Sequence, residues 1–479
     1  NIRRRGRIKV SIKQMGAILL IQNATDVKVN IKPVMGILVH SDFWEGPCRG
    51  GIKEEMMPEA EMRSARVKFE NYKQQFSQIS GQANLLEPVF VPYDESFVVD
   101  EKIIAEIEKD LNKTDCLMVM NQRIPKIERF NKPVISWTHT VSAADTCAYL
   151  RSIGKEAWYP IDMKELNELI HLLWVRKAAQ HTRVLVLTAG EAPTWGLLSN
   201  IRDTERLRSR YGIEIIKKPF TDIFKFMDTV TDEEAMPLTE KLYGHALENK
   251  VKPEFLINDV KYYLAAEKML EKYSCNAFST SCVELCRSRI PQERKFVPCI
   301  THTLFKDRGI PSACEEDLNA LTAMIMLMYT AMRPAFMGNP LYESDEMFSL
   351  HHSVPCLKMN GFDTEDMSYS IYPFTGQGFG GKIQIDFAQS RSEEVTLARF
   401  NTFGDRMLLK TGNVLRSEYK EAYCSPYYYI QADDVRGYLH QMMNFGHHQA
   451  LVFGNWRRQL YALSKIMGFE IVEGSGADL

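Results

Sequence analysis

The chain has 479 residues, enough for two or three domains, and 45% of them are hydrophobic, so sizeable cores form without disulfide staples. Its 59 Lys and Arg against 61 Asp and Glu leave a net charge of −2, which excludes the global basic field that draws nucleic acid. No apolar run approaches the roughly 18 residues that span a bilayer, so no membrane partner is expected.

Ten cysteines are scattered without a C-x-x-C pair, although Cys282, Cys286, Cys299 and Cys314 fall in one region. Reduced, mostly buried thiols are expected, which suits the cytoplasm. The chain begins at Asn1 rather than Met, so something upstream, a cleaved export signal included, stays open. Arg3-Arg4-Arg5 reads as a solvated terminus.

In segment 1–180, the apolar run Val34–His40 reads as a buried strand, followed by a glycine-bearing loop and a helix from Pro58 to Ile79. Further strands are expected at Glu87–Pro92, Cys116–Met120 and Pro133–Trp137, with a helix over Lys102–Leu111. Strands alternating with helices imply a doubly wound parallel sheet, whose ligand contacts commonly sit in the loops after strands. Ser41, Asp42, Trp44 and Arg49 occupy such a loop. No G-x-G-x-x-G accompanies them, so a dinucleotide site is unsupported.

Segment 181–340 repeats the pattern. Arg183–Thr188 is a strand, Ala189–Thr194 a turn without the lysine of a phosphate-binding loop, and Ile213–Ile216 and Ala277–Cys282 are further strands. Helices are expected over Asp232–Leu247 and Val251–Lys272. Pro311 then leads into Glu315-Glu316-Asp317, ahead of an almost uncharged helix from Ala320 to Met332. Acidic side chains suit a helix N-terminus on electrostatic grounds alone. Phe336–Pro340 reads as a polar turn.

In segment 341–479 the period drops to two. Met367–Tyr372, Lys382–Phe387, Glu394–Phe400, Tyr427–Ile430 and Gln449–Phe453 read as strands of an antiparallel sheet or barrel. Helices are expected over Asp433–Met443 and Trp456–Met467. The fold class is therefore α/β, with two Rossmann-like parallel-sheet domains followed by a C-terminal antiparallel β-barrel and a terminal helix.

Only eleven histidines occur, yet two adjacent pairs, His351-His352 and His447-His448, fall in the last segment. Carboxylates mixed with imidazoles suit Mn²⁺ or a related divalent ion, and the spacing is too dispersed for a zinc finger. The plain alternative is that the pairs are structural and the chain is a scaffold or another kind of enzyme.

Ala313–Asn319, then Phe336–Asn339, then His351 with Pro355, and finally Gly446–Gly454 resemble, in order and spacing, the L-fucose/L-arabinose isomerase superfamily. The likeness spans about residues 311 to 472. It implies a Mn²⁺-dependent aldose–ketose isomerase acting on a monosaccharide through an enediol, in a homo-oligomer, a trimer or hexamer. Carried over by position, the metal ligands are Glu315, Asn339, His351 and His448, with Glu315 also the catalytic base and His447 the candidate substrate contact. Asn339 stands where the family has a second carboxylate. A neutral amide cannot be a general base, so a sugar-binding member without isomerase activity is the alternative.

Overall fold

The computed structural model describes residues 23–43, 45–46, 50–138, 140–190, 196–387, 394–421 and 424–474. Arg3-Arg4-Arg5, Trp44, Arg49 and residues 191–194 of the second turn lie outside the described residues. The described residues fold as two compact units, Val27–Lys177 and the part that follows from Ala178, the second taking in residues 23–26.

The Val27–Lys177 unit is built on β1 (Val29–Leu38), β2 (Ala83–Leu85), β3 (Val89–Tyr93), β4 (Cys116–Asn121), β5 (Val134–Trp137) and β6 (Ala157–Trp158). All pair in parallel, in the order β2-β1-β4-β5-β6, with β3 following β2 along β1. Parallel pairing needs crossovers, here including helices Pro58–Phe76, Glu101–Glu108 and Val141–Ser152. The central strand β4 is buried along nearly its whole length, which explains its unbroken apolar run. Ser41 and Asp42 follow β1 and are exposed; the Ser41 N–H donates to Glu95 and the Asp42 carboxylate accepts from the Phe43 N–H.

The second unit opens with another parallel sheet, β7 (Arg183–Thr188), β8 (Glu214–Pro219), β9 (Ala277–Thr280) and β10 (Ser312–Ala313), in the order β10-β9-β7-β8. Helices Asp232–His245 and Pro253–Lys272 bring much of the large apolar core of this unit. Buried Asp259 accepts from the Val297 and Gly381 N–H groups, each at 2.7 Å, one on each carboxylate oxygen.

Helix Leu318–Ala331 follows β10 and carries no charged residue; all of its side chains are buried. A helix apolar on every side belongs inside a protein. It packs on β10 and on the barrel behind it. Met332, at φ 51°, ends it.

The barrel comprises β11 (Phe336–Ser344), β12 (Met347–His351), β15 (Glu394–Phe400), β16 (Arg406–Glu418), β17 (Tyr427–Gln431) and β18 (Gln449–Phe453), with β13 (Tyr369–Pro373) and β14 (Gly381–Ile385) between β12 and β15 in the chain. The order β15-β18-β11-β12-β17-β16 closes through a direct β15–β16 pairing, every neighbour antiparallel, and β19 (Glu470–Glu473) adds parallel to β16. Phe387 stacks on Tyr428 at 3.8 Å, with Phe336 and Phe453 set edge-on around them.

Two expectations change. Phe336–Pro340 is not a turn but the start of β11, because Phe336 and Met337 are fully buried and the strand needs them inside. Met367–Tyr372 and Lys382–Phe387 do not enter the barrel: β13 and β14 form a separate hairpin, with β13 bonded to the segment after helix Asp232–His245.

Candidate metal centre

Glu315 sits where β10 hands over to the buried helix. Glu315 and Glu316 both have positive φ, 59° and 58°. Side-chain-bearing residues held there cost about 1–3 kcal/mol each and persist only when surroundings fix them. Several bonds do so. The Glu316 N–H donates to Thr280 O at 3.0 Å, the Ser281 hydroxyl donates to the Glu316 carboxylate, and the Leu318 N–H donates to Asn200. A Cβ on Gly196 would lie 2.9 Å from a Glu315 carboxylate oxygen, so a side chain there would push that carboxylate aside.

Asp317 is the N-cap of the buried helix, its Oδ1 accepting from the Ala320 N–H at 2.8 Å. Its Oδ2 does two further things: it accepts from Arg399 at 2.6 Å and from His448 Nδ1 at 2.8 Å. The Asp317, Arg399 and His448 side chains are fully buried. Burial pushes the Asp317 pKa up, but Arg399 and His448 outweigh it and hold the carboxyl well below the usual carboxylate range. An ionised Asp317 only accepts, so Nδ1 of His448 carries a proton, and in a neutral ring Nε2 is then the atom with the lone pair.

That lone pair has a destination. His448 Nε2 is buried with no hydrogen-bond partner, 3.8 Å from Glu315 Oε2. His352 Nε2, also buried and unpartnered, lies 3.4 Å from Glu315 Oε1. Ligand atoms of Glu315, His352 and His448 all fall within 4.8 Å of one another. Burial raises the Glu315 carboxyl, yet the two imidazoles outweigh it and hold it at about 2. Burial lowers His352, which favours the neutral ring that donates to a metal. A carboxylate and two imidazole nitrogens, one oriented from behind by a carboxylate, are a donor set that fits a divalent cation.

The sequence expectations divide here. Glu315 and His448 converge. Of the adjacent histidine pair, the ring that meets them is His352 and not His351. His351 ends β12, hydrogen bonds to the Asn339 backbone, and stacks on Tyr427 at 4.4 Å, with its Nδ1 unpartnered. His352 lies just past the end of β12 and turns its ring toward Glu315, while His351, still in the strand, does not. Asn339 lies opposite His351 in the β11–β12 register, on the same face of β11 as Met337, whose sulfur accepts from the Cys314 N–H at 3.2 Å. The Asn339 Oδ1 is buried and unpartnered. His447 is half-buried, its ring 4.3 Å from that of His448, and burial lowers it to about 4.

Two participants were missed. His352 was passed over because the strand ends between the two histidines, a boundary that no residue marks. Arg399 lies in a strand read as ordinary alternation; its only signal is a cation in an otherwise apolar stretch, Thr396–Phe400. Gly446, at φ 91°, lets the chain approach Ser199 and Arg399: a Cβ there would lie 2.5 Å from Ser199 Oγ and 2.8 Å from an Arg399 nitrogen.

No family model matches the chain. It is similar to the sulfoquinovose isomerases of Priestia aryabhattai and Priestia megaterium (strain ATCC 12872 / QMB1551), at 22% identity to each over 321 residues, covering 64% of this chain and 69% of each relative. That similarity relates the chain to sugar isomerases. A periplasmic solute-binding protein of an ABC transporter from Actinobacillus succinogenes 130z, solved with bound D-allose, is 12% identical and covers 56% of this chain and 83% of its own, at a TM-score of 0.14. A score that low bears on neither fold nor function.

Among the described residues, no helix is long and apolar enough to cross a membrane.

Proposed function

We propose that this chain is a divalent-metal-dependent aldose–ketose isomerase of the L-fucose/L-arabinose isomerase type, with Mn²⁺ as the metal and a monosaccharide as substrate. The observation that carries it is the meeting of Glu315, His352 and His448 around one point, with His448 held from behind by Asp317. The similarity to sulfoquinovose isomerases supports the same class. Glu315, His352 and His448 would hold the metal, with the Asn339 amide oxygen as a further candidate ligand. His351, expected as a ligand, stands outside this set, and His447 stays the candidate for contact with substrate.

A bound divalent ion supplies polarisation of the sugar carbonyl and compensation of the charge that develops on its oxygens. The protein's own part is proton transfer. Isomerisation takes a proton from C2 of the aldose and returns one to C1, through an enediol. Glu315 is ionised at neutral pH and is the candidate base. Asp317 and Arg399 fix the imidazole of His448 and stay clear of the reacting carbons.

The segments 1–180, 181–340 and 341–479 are proposed as the functional domains. On that division the site forms between the second and third, since Glu315 precedes the barrel while His352 and His448 belong to it. A homo-oligomer, trimer or hexamer, is proposed with the family resemblance and is checked by sedimentation.

The test is a panel of aldoses, sulfoquinovose included, incubated with Mn²⁺ and assayed for ketose. Turnover that is lost in Glu315→Gln supports the proposal; absence of turnover on every sugar opposes it. A second reading rests on Asn339, whose neutral oxygen stands where a second carboxylate is expected. Under it the chain binds a monosaccharide without isomerising it. Calorimetric binding without turnover, with activity appearing in Asn339→Asp, selects that reading.

A further inference from the structure

The cysteines gathered around residue 314 take no part in the isomerase proposal. Cys282 begins the short helix Cys282–Arg287 just past β9, and Cys314 follows β10, the parallel neighbour of β9. The register pairs Ala313 with Ser279, which carries Cys314 and Cys282 to the same end of adjacent strands. Their sulfurs lie 3.1 Å apart, only about 1 Å beyond the ~2.05 Å of an S–S bond. Cys314 is 2% exposed, whereas Cys282 is partly exposed. The Glu315 backbone N–H donates to the Cys282 sulfur. The pair therefore touches the peptide that carries the central carboxylate.

We propose that Cys282 and Cys314 form an oxidative modification site, closing to a disulfide that displaces Glu315 and disables the metal centre. The oxidant is a peroxide. Its terminal oxygen is transferred to the Cys282 sulfur, giving a sulfenic acid and one water. The Cys314 sulfur then attacks the Cys282 sulfur, the S–S bond forms, and the hydroxyl leaves with the thiol proton as a second water. Both sulfurs are oxidised by one electron each, and the peroxide takes up the two. Cys282 is only partly exposed, so the first step is slow and calls for excess peroxide. The second is intramolecular at 3.1 Å and outruns over-oxidation.

The consequence follows from the backbone. Glu315 and Glu316 are held at φ near +60° by specific bonds, one of them to the Cys282 sulfur. Bond formation draws Cys314, and with it the Glu315 peptide, toward Cys282. A displacement of about 1 Å is enough to spoil a site whose donors must meet at one point. The effect on the metal rests on the function proposed above; the disulfide itself does not.

The full-length reduced protein is treated with hydrogen peroxide, then alkylated, digested and mapped by mass spectrometry, with Mn²⁺ affinity measured in parallel. A Cys282–Cys314 cross-linked peptide is expected, together with a Mn²⁺ affinity reduced about tenfold or more, both reversed by dithiothreitol. Cys282→Ser and, separately, Cys314→Ala keep their Mn²⁺ affinity in peroxide. The inference is overturned if both thiols stay alkylatable, if either pairs with another cysteine, or if the two variants lose Mn²⁺ as the parent does. A cross-link in a protein that binds no Mn²⁺ even when reduced would leave the disulfide standing and remove the metal centre, which separates the two proposals.

Discussion

Asp317 offers the sharpest test of how this centre is built, because Asp317→Asn keeps the shape and removes only the charge. The remaining partners of the buried Arg399 guanidinium are then the Phe445 and His448 carbonyls, with no counter-ion. Breaking one side of a buried ion pair costs about 3–5 kcal/mol. The helix cap adds little to that, since an amide oxygen can still accept from the Ala320 N–H; Asp317→Ala adds the further ~1 kcal/mol of a lost cap. Against a total stability of about 5–15 kcal/mol, the loss is plain in a urea transition. Removing both charges in Asp317→Asn with Arg399→Met should recover much of it, giving a coupling of about 2 kcal/mol or more between the two changes. In the single variant Mn²⁺ affinity should fall about 10–100-fold, because His448 loses its orienting carboxylate. The sign with pH is fixed as well. Asp317 is held below the ordinary carboxylate range, so its contribution is present above about pH 4 and is lost as pH falls further. Unfolding of the variant should therefore depend less on acid. A single variant within about 1 kcal/mol of the parent, the scale of a solvated pair, would refute the reasoning.

Three further outcomes are expected. His352→Ala should weaken Mn²⁺ by more than the roughly 10–100-fold that loss of an outer partner costs, while His351→Ala leaves it unchanged; equilibrium dialysis decides between the adjacent rings. Gly446→Ala should destabilise by about 1–3 kcal/mol, seen as a lower urea midpoint, because its φ of 91° and the approach of Ser199 and Arg399 leave no room for a methyl group. Burial raises Asp259 to about 8 despite two backbone N–H donors, so the stability it gives below about pH 4 is lost as pH rises toward 8. Asp259→Asn cannot titrate, and its urea midpoint should change less between pH 5 and pH 8 than the parent's.

Much of the layout was readable because burial on both faces writes itself into composition. β4 and β7 are apolar runs for that reason, and helix Leu318–Ala331 announces its buried position by lacking charge. The acidic start of that helix was legible too, because carboxylates favour helix starts on electrostatic grounds. β11 was not. Its Gly338-Asn339-Pro340 reads locally as a turn, and only the pairing with β12 and β18 makes it a strand. Nor was the choice between His351 and His352, since a chain alternates reliably only while it stays extended. Arg399 was hidden for a related reason: its partner Asp317 lies 82 positions away.

β15 and β16 pair as a local hairpin, but the barrel is complete only when β17 pairs with β12 and β18 with β11 and β15, and Asp317 meets His448 across 131 positions. Such distant pairings are slow to form. During synthesis, the chelating pocket cannot exist until residue 453 has left the ribosome and the last barrel strand has docked. Capture of a cation would then come as the closing event of folding, and a nascent chain stalled earlier would be blind to Mn²⁺ however much of its parallel sheet had already formed.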